Sequence, residues 1–287
     1  MLDSEHLSAS AVAPTLKVTV VRSTSGWRAL NPTELLGHQD LLGFLIWRDL
    51  KVRYQQTLLG GAWAILQPLA AAAAFTLVFG KIAKLPSDGV SYPLFSFSGM
   101  VIWTYFSQAV TAAIASLVGN ARLIQQVYFP RLVLPLAAVL RGIVDFAIAF
   151  IFLALILAVA GHPPSGRWLL APFLLAIAVV AAAGAGMGLA AINVRFRDVG
   201  QMTPLMIQLW LFITPVVYPS SLAPPAWRPW LGLNPMAGVV EGFRWALLVP
   251  GPAPVQLMTV SAASALLMLA GGLLVFRRVE STFADVI

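Results

Sequence analysis

The sequence contains no cysteine and few charged residues, and both scarcities limit what the protein can be. Without a thiol, disulfide bonds, thiolate chemistry and cysteine-based zinc sites are excluded. Charged residues make up 10% of the 287 residues and hydrophobic residues 59%, a balance that few soluble domains could keep in solution. The composition therefore predicts a membrane protein that crosses the bilayer several times.

Residue groups that would support catalysis or bind a metal are also missing. His6, His38 and His162 fall on the N-terminal tail, the inner surface and the outer surface, so they cannot meet in a catalytic triad or a metal cluster. The only Gly-Lys pair, Gly80-Lys81, follows no phosphate-binding loop, so the chain has no Walker A motif. We therefore predict no catalytic residue, no metal site and no cofactor site on this chain.

Six apolar runs are long enough to cross about 30 Å of hydrocarbon at about 1.5 Å per helical residue. All are too long for transmembrane strands, so the fold class is all-α. The predicted spans are 61–80, 93–119, 132–160, 168–192, about 200–218 and 255–276. They lie in a membrane domain over residues 33–287, which follows a polar cytoplasmic tail over residues 1–32.

The basic residues are unequally distributed between the two sides of the membrane. A net charge of +7 could indicate nucleic-acid binding, but here it reports topology. With the N-terminus inside, thirteen of the 18 lysines and arginines lie on cytoplasmic segments and five on outer segments. The positive-inside rule therefore predicts cytoplasmic N- and C-termini and no nucleic-acid partner.

A basic amphipathic helix is predicted over residues 35–54, ahead of the first span. Its leucines and isoleucines recur at helical spacing between charged residues, which is typical of a helix lying in the headgroup plane. Such a helix is a plain membrane anchor, a surface that a cytosolic partner grips, or both.

A second short helix is predicted within residues 120–135. Leu123, Ile124, Val127 and Tyr128 fall at helical spacing, and Pro130 cannot continue the helix because it lacks an N–H and clashes with the preceding turn. This segment is either an inert interfacial turn or an element that passes motion between the bilayer and a soluble partner.

The second predicted span is unusually polar. Thr104, Gln108 and Thr111 share one helical stripe, which should face protein or water because polar side chains are costly in lipid. Trp103 and Tyr105 lie near its outer third. Their rings suit either contact with sugars or an aromatic belt at the lipid interface.

Charges and glycines in the third and fourth spans should govern how the helices pack. Arg141 and Asp145 are four residues apart on one face, so we expect them to pair with each other or with another subunit. A role for Asp145 as a proton carrier is the alternative. Gly184 and Gly188 form a small-xxx-small pair that allows close helix packing.

A proline-rich outer stretch separates the fifth and sixth predicted spans. Within it, residues 236–249 are apolar but too short to cross, and they carry Glu241 and Arg244 at (i, i+3) spacing. Non-helical backbone at membrane depth survives only where protein or water satisfies it. We therefore predict a re-entrant or interfacial hairpin at the mouth of a pathway.

Several motifs in a fixed order resemble ABC-2 type permeases that export polysaccharides and polyol phosphates. They are R-Y-Q-Q-T-L-L-G (53–60), A-W-A-I-L-Q-P (62–68), the 120–135 segment ending F-P-R-L-V-L-P, F-R-D (196–198), T-P-V-V-Y-P (214–219) and L-N-P-M-A-G-V-V-E-G-F-R-W (233–245). The resemblance extends from about residue 35 to the C-terminus. It is greatest to O-antigen lipopolysaccharide exporters, with capsule and teichoic-acid exporters nearby.

The resemblance implies a six-span subunit of the bacterial inner membrane that exports lipid-linked polysaccharide. It implies a homodimer bound to two copies of a separate ATPase, which would hold the ATP and Mg²⁺. Residues expected to contact or couple to that ATPase are Arg48, Lys51, Arg53, Arg122, Leu123, Gln125, Tyr128 and Phe129. The expected substrate path is Trp103, Thr104, Tyr105, Gln108 and Thr111, and the expected outer gate is Trp227, Trp230, Glu241, Arg244 and Trp245.

Other functions remain as alternatives. A proton-coupled secondary transporter would use Asp145 and Glu241, but it needs more buried carboxylates than the spans contain. A membrane enzyme acting on lipid-linked sugars would need a cluster of acids or histidines on one face. An ABC exporter of another cargo, such as capsule, teichoic acid, a drug or a small lipid, is the third alternative.

Overall fold

The structure is a computed structural model that describes residues 37–55, 60–280 and 283, and every regular element in these ranges is helical. The predicted tail and the first residues of the predicted interface helix lie outside the described residues. The α-helices are α1 (Gln39–Gln55), α2 (Ala62–Phe75), α3 (Tyr92–Gly119), α4 (Ala121–Gln126), α5 (Val133–Val159), α6 (Ala171–Arg195), α7 (Asp198–Ile213), α8 (Arg228–Leu231), α9 (Pro235–Leu247) and α10 (Val255–Glu280). A π-helix over Thr76–Ile82 continues α2, and 3₁₀ turns occupy Gly166–Leu170 and Ser220–Leu222.

Five helices in the described part of the chain are long and apolar enough to cross a membrane. They are Ala62–Ile82, Tyr92–Gly119, Val133–Val159, Gly166–Arg195 and Val255–Glu280. These agree with five of the six predicted runs. The remaining run contains α7, which has sixteen residues and ends before Thr214-Pro215. At about 1.5 Å per residue it rises about 24 Å, less than the hydrocarbon thickness of about 30 Å.

Helix α3 is the centre of the bundle. It packs against α2, α5, α6 and α9, and most of its apolar side chains are buried among them. Aromatic rings fill these contacts: Phe106 lies 5.0 Å from Trp210 of α7, and Tyr105 lies 6.0 Å from Phe146 of α5, measured between ring centroids. Helices α2, α5, α6 and α9 are therefore positioned relative to α3.

The glycines of α6 allow close packing against α10, as the small-xxx-small spacing predicts. A Cβ atom on Gly188 would lie 3.1 Å from the Cα atom of Gly272, and one on Gly184 would overlap the backbone of α10 at Leu269. Larger side chains at these positions would push the two helices apart. This contact fixes the last span against the rest of the bundle.

Side-chain hydrogen bonds hold together the end of the bundle that the sequence predicts to be cytoplasmic, called the inner end below; the opposite end is called the outer end. Asn193 donates from Nδ2 to the carbonyl of Ile114 at 3.1 Å and accepts at Oδ1 from the backbone N–H of Gly200 at 2.8 Å. Arg131 donates from Nη1 to the carbonyl of Glu280 at 2.7 Å. The inner ends of α3, α5, α6, α7 and α10 are thus cross-connected.

Candidate functional site

Helix α1 packs against α5 through two charged pairs. Arg53 Nη2 lies 3.1 Å from Asp145 Oδ2, and Arg141 Nη1 lies 3.9 Å from Asp49 Oδ2. The direct pair between Arg141 and Asp145 is therefore not formed, although both project from one face of α5 as predicted. The physical reason is that α1 brings an opposite charge to each of them.

The hydroxyl of Tyr54 donates a hydrogen bond to Asp145 Oδ1, beside the contact with Arg53. Burial, reinforced by this hydrogen bond, raises the pKa of Tyr54 to about 12. The phenol therefore stays protonated and remains a donor throughout the physiological pH range.

Arg48 connects α1 to the junction between α3 and α4. Its guanidinium donates to Asp49 Oδ1 from Nε at 2.9 Å and from Nη2 at 2.8 Å, and Nη2 also donates to Asn120 Oδ1 at 2.9 Å. Asn120 in turn donates from Nδ2 to the carbonyl of Ser116 at 2.8 Å. Arg48 and Arg53 therefore act inside the subunit rather than as free surface cations.

Helix α4 is shorter than the sequence predicts. It ends at Gln126, and the backbone of Val127 is extended, so Val127 and Tyr128 do not continue the apolar face of the helix. The residue before a proline is disfavoured in helical conformation, which explains why the helix cannot reach Phe129-Pro130.

The residues expected to contact the partner divide into exposed and buried groups. Tyr128 is 77% exposed, whereas Phe129 is 6% exposed and packs in the core at the inner end with partly buried Leu123. The exposed members of the expected set are Lys51, Arg122, Gln125 and Tyr128. These four are described below as the inner-surface set.

A polar face runs along α3 beside α2, as the stripe on the second span predicts. Gln108 Nε2 donates to Gln67 Oε1 at 2.7 Å, and Gln108 Oε1 accepts from Arg53 Nη2 at 3.1 Å. Thr111 is exposed, and its hydroxyl donates to the carbonyl of Ser107 at 2.7 Å. Nη2 of Arg53 thus contacts both Gln108 on this polar face and Asp145 on α5.

The expected aromatic members of the path do not belong to this polar face. Trp103 and Tyr105 are each 3% exposed and lie in the main core, so neither ring is at the surface of the subunit. Neighbouring helical residues point about 100° apart, which directs Trp103 and Tyr105 into the bundle while Gln108 and Thr111 point outward. The role of these two rings in the substrate path stays a prediction.

Arg244 fastens α9 to the outer end of α3 and to the segment after α7. Its completely buried guanidinium donates from Nε to the carbonyl of Phe95 at 3.1 Å, from Nη1 to Pro215 at 2.7 Å, and from Nη2 to Val216. Glu241 Oε1 lies 3.6 Å from Arg244 Nη1 and accepts from the backbone N–H of Ser220 at 2.8 Å. The predicted (i, i+3) pair is therefore present, with more partners than its spacing indicated.

The tryptophans expected at the outer gate occupy two different environments. Trp227 and Trp230 are 67% and 65% exposed at α8. Trp245 is partly buried; its Nε1 donates to the carbonyl of Gly251 at 2.9 Å, and its ring lies 5.1 Å from Arg167 Cζ. Only the first two are free to meet a ligand.

Comparison with known proteins assigns this chain to a family. Residues 40–248 match the family described as "ABC-2 type transporter". The chain belongs to the ABC-2 type transporter family. It is 29% identical over 257 residues to the "O-antigen export system permease protein RfbA" of Myxococcus xanthus, with 88% of this chain and 97% of that protein aligned.

Two further relatives are similar over most of this ABC-2 chain. A protein of the same description from Klebsiella pneumoniae is 27% identical over 249 residues, 86% of this chain and 95% of its own length. The "Polysialic acid transport protein KpsM" of Escherichia coli is 24% identical over 212 residues, 72% of this chain and 80% of its own length.

Sequence reasoning missed several residues that organise the inner end of this ABC-2 chain. Asp49, Tyr54, Gln67 and Asn120 all contact residues that were singled out, yet none was predicted to have a role. A signal was present: Asp49 and Arg53 on α1 have the same four-residue spacing as Arg141 and Asp145 on α5, with opposite charges. That complementarity predicts that the two helices dock.

Proposed function

We propose that this chain is the membrane permease subunit of an ATP-driven exporter that moves lipid-linked polysaccharide to the outer face of the bacterial inner membrane. The observation that carries the proposal is the similarity, over 86–88% of the chain, to relatives named as O-antigen export permeases. Family membership and the long apolar helices support a membrane transport role independently.

The subunit has six crossings in this proposal, with α7 as a shorter crossing between α6 and the outer hairpin. An excess of lysine and arginine on alternate segments supports cytoplasmic termini. The apolar side chains of α7 support this placement, because Leu205, Leu209, Phe212 and Ile213 are all about half exposed and suit lipid or a second subunit. A homodimer would give the polar face of α3 a protein or aqueous environment.

Energy comes from a separate ABC ATPase, present in two copies, which holds the ATP and Mg²⁺. The inner-surface set provides the contact with that ATPase: Lys51 and Arg122 supply charge, Gln125 an amide and Tyr128 an exposed ring. Arg48 and Arg53 lie behind it and transmit movement of α1 to α3 and α5. ATP binding can shift the equilibrium between two states of the transporter only by the difference between the free energies with which ATP binds them.

The glycan path lies along the polar face of α3, where Thr104, Gln108 and Thr111 are joined by Gln67 of α2. Trp103 and Tyr105 support that face from within the bundle. At the outer end, α8 and α9 form a re-entrant gate, in which Trp227 and Trp230 are exposed to the glycan. Trp245 and the Glu241–Arg244 pair hold the gate in place.

Another polysaccharide is the second candidate cargo, because the relative KpsM is named for polysialic acid transport. Proton-coupled transport is less well supported. Asp145 is held by Arg53 and Tyr54, and Glu241 by Arg244 and the N–H of Ser220, so each carboxylate has charged and hydrogen-bonding partners.

Complementation tests the proposal in cells that make the lipid-linked polysaccharide but lack their own permease. We expect surface polysaccharide to return only when this chain is expressed with an active partner ATPase. Charge reversal of the inner-surface set, Lys51→Glu with Arg122→Glu, should prevent co-purification of the ATPase. The matched control, Lys84→Glu in the exposed outer loop, should leave co-purification unchanged. Export without any ATPase would contradict the proposal.

A further inference from the structure

A cavity of about 230 Å³ lies at the inner end of the bundle between α1, α3 and α5. Its walls are mostly alanine and leucine side chains. The polar residues lining it are Arg48, Asp49, Ser116, Asn120 and Arg141. None of these was assigned to the glycan path or the outer gate.

Arg141 is the residue in this cavity whose hydrogen bonds are not satisfied. Among the described residues no acceptor lies within hydrogen-bonding distance of its guanidinium, and the nearest carboxylate oxygen, on Asp49, is 3.9 Å away. A guanidinium carries five N–H donors, and a half-buried one without acceptors is energetically unfavourable. The donors of Arg141 are therefore available to an acceptor in the cavity.

The charge of the cavity indicates what kind of acceptor fits. Arg48 and Arg141 bring two positive charges, and Asp49, which is already bonded to Arg48 at 2.8 Å, brings one negative charge. One positive charge remains in excess. The ligand should therefore be an anion with at least two oxygens, because a guanidinium binds carboxylate and phosphate groups through paired hydrogen bonds.

The wall that α1 contributes to the cavity favours phosphate among such anions. Helix α1, which supplies this wall, has the composition of a helix in the headgroup plane. The abundant anionic group at that level of a membrane is the phosphate of a lipid headgroup.

We propose that this cavity binds a phosphoryl group, supplied by an inner-leaflet lipid headgroup or by free phosphate. Arg141 donates paired hydrogen bonds to it, and Arg48 supplies the second positive charge. When the phosphoryl group binds, Arg141 contacts it in place of Asp49, which lies 3.9 Å away. The hydrogen bonds between Asp49 and Arg48 remain. The cavity holds a headgroup phosphate and is too small for a sugar chain.

The test uses the assembled transporter, purified with its ATPase in a phosphate-free neutral detergent and without ATP. Native mass spectrometry measures how much lipid it retains from phosphatidylglycerol or from a glucosyl diacylglycerol that has no phosphate. Because no turnover is involved, failure of this site leaves the export proposal standing, and the reverse also holds.

Two variants probe the cavity and one controls for general effects. Arg141→Gln removes the guanidinium and its paired N–H donors. Ala112→Leu fills the cavity and leaves every charged residue in place. Each should lower phosphatidylglycerol retention by about tenfold, the loss expected when a charge-assisted contact in a half-buried site is removed. Arg278→Gln, at an exposed inner-surface arginine outside the cavity, should leave retention as in the unmodified chain.

The outcomes separate the sources of the phosphoryl group. Displacement of the lipid by millimolar inorganic phosphate identifies free phosphate as a competent ligand, and resistance to it identifies the headgroup; both support the site. The proposal is overturned if the glucosyl lipid is retained as well as phosphatidylglycerol. It is also overturned if Arg141→Gln and Ala112→Leu both retain phosphatidylglycerol as the control does.

Discussion

Arg244 of the outer hairpin and the arginines between α1 and α5 are held in opposite ways. At the outer end, Arg244 is completely buried and donates to three backbone carbonyls. Between α1 and its neighbours α3 and α5, Arg48, Arg53 and Arg141 are partly exposed, and their charged and hydrogen-bonded contacts are with other side chains. The outer hairpin is fastened to backbone, whereas the interface helix is held by exchangeable side-chain contacts.

This difference indicates which end can move. Removing one partner from a buried, hydrogen-bonded pair costs about 3–5 kcal/mol, whereas an exposed ion pair is worth about 0.2–1 kcal/mol. When α1 moves, the arginines at the inner end can therefore change their ion-pair partners at a small cost in free energy. The outer hairpin should instead move together with α3, as one unit.

The largest expected effect comes from Arg244→Ala. Because it leaves Glu241 and three carbonyls without their partner, we expect the free energy of unfolding to fall by about 3–5 kcal/mol. Thermal unfolding of the purified chain, followed by tryptophan fluorescence, measures the loss. Arg228→Ala, at an exposed arginine of the same hairpin, is the control and should cost much less. Equal losses would mean that the outer end is not fastened by Arg244.

Two glycines on α3 allow the packing at its outer and inner ends to be compared within a single helix. A Cβ atom on Gly99 would overlap the guanidinium of Arg244, whereas one on Gly119, at the inner end, would meet no atom within 4 Å. Gly99→Ala should therefore destabilise the chain by about 1–3 kcal/mol through overpacking. Gly119→Ala should change its stability by less than about 0.5 kcal/mol. Equal unfolding temperatures for the two variants would show that both ends tolerate displacement alike.

At the inner end we expect a small effect on stability and a large one on coupling. A double-mutant cycle of Arg53→Gln and Asp145→Asn should give an interaction of about 1 kcal/mol, because the Arg53 side chain is 32% exposed although Asp145 is buried. ATP hydrolysis should continue while export falls, since α1 no longer transmits its movement to the polar face. Arg278→Gln is the control for both assays. Export that falls only in proportion to hydrolysis would argue against this transmission.

Tyr54→Phe should have the smallest effect, about 1 kcal/mol, which is the typical net contribution of one hydrogen bond. The pKa of Tyr54 is raised to about 12, so its contribution is fully present below the unfolded value of about 10 and is lost as the pH rises through about 12. Chemical unfolding measures the difference in the free energy of unfolding between the unmodified chain and Tyr54→Phe. This difference should be smaller at pH 11 than at pH 8. A constant difference would indicate that the raised pKa of Tyr54 does not contribute.

The sequence predicted the large elements because they depend on local chemistry. Apolar runs with few charges specify the five long helices, and Gly184 and Gly188 specify a close helix contact that the structure contains. The polar stripe of Thr104, Gln108 and Thr111 follows from helical periodicity alone.

What the sequence did not reveal depends on contacts between distant residues. Arg141 and Asp145 were expected to pair with each other or with another subunit, because only spacing within one helix is visible in a sequence, whereas α1 supplies their partners. The burial of Trp103 and Tyr105 depends on how α3 is rotated against its neighbours. The early end of α4 was missed because the preference imposed on Phe129 by Pro130 outweighed the helical periodicity.

Reconstitution tests the central claim that this chain transports glycan only with an ATPase. Proteoliposomes containing lipid-linked polysaccharide would hold either this chain alone or this chain with its partner ATPase, and a glycan-binding probe outside would report translocation. We predict translocation only with both proteins and ATP, and none from a proton gradient alone. Translocation by the chain without its partner would contradict the account.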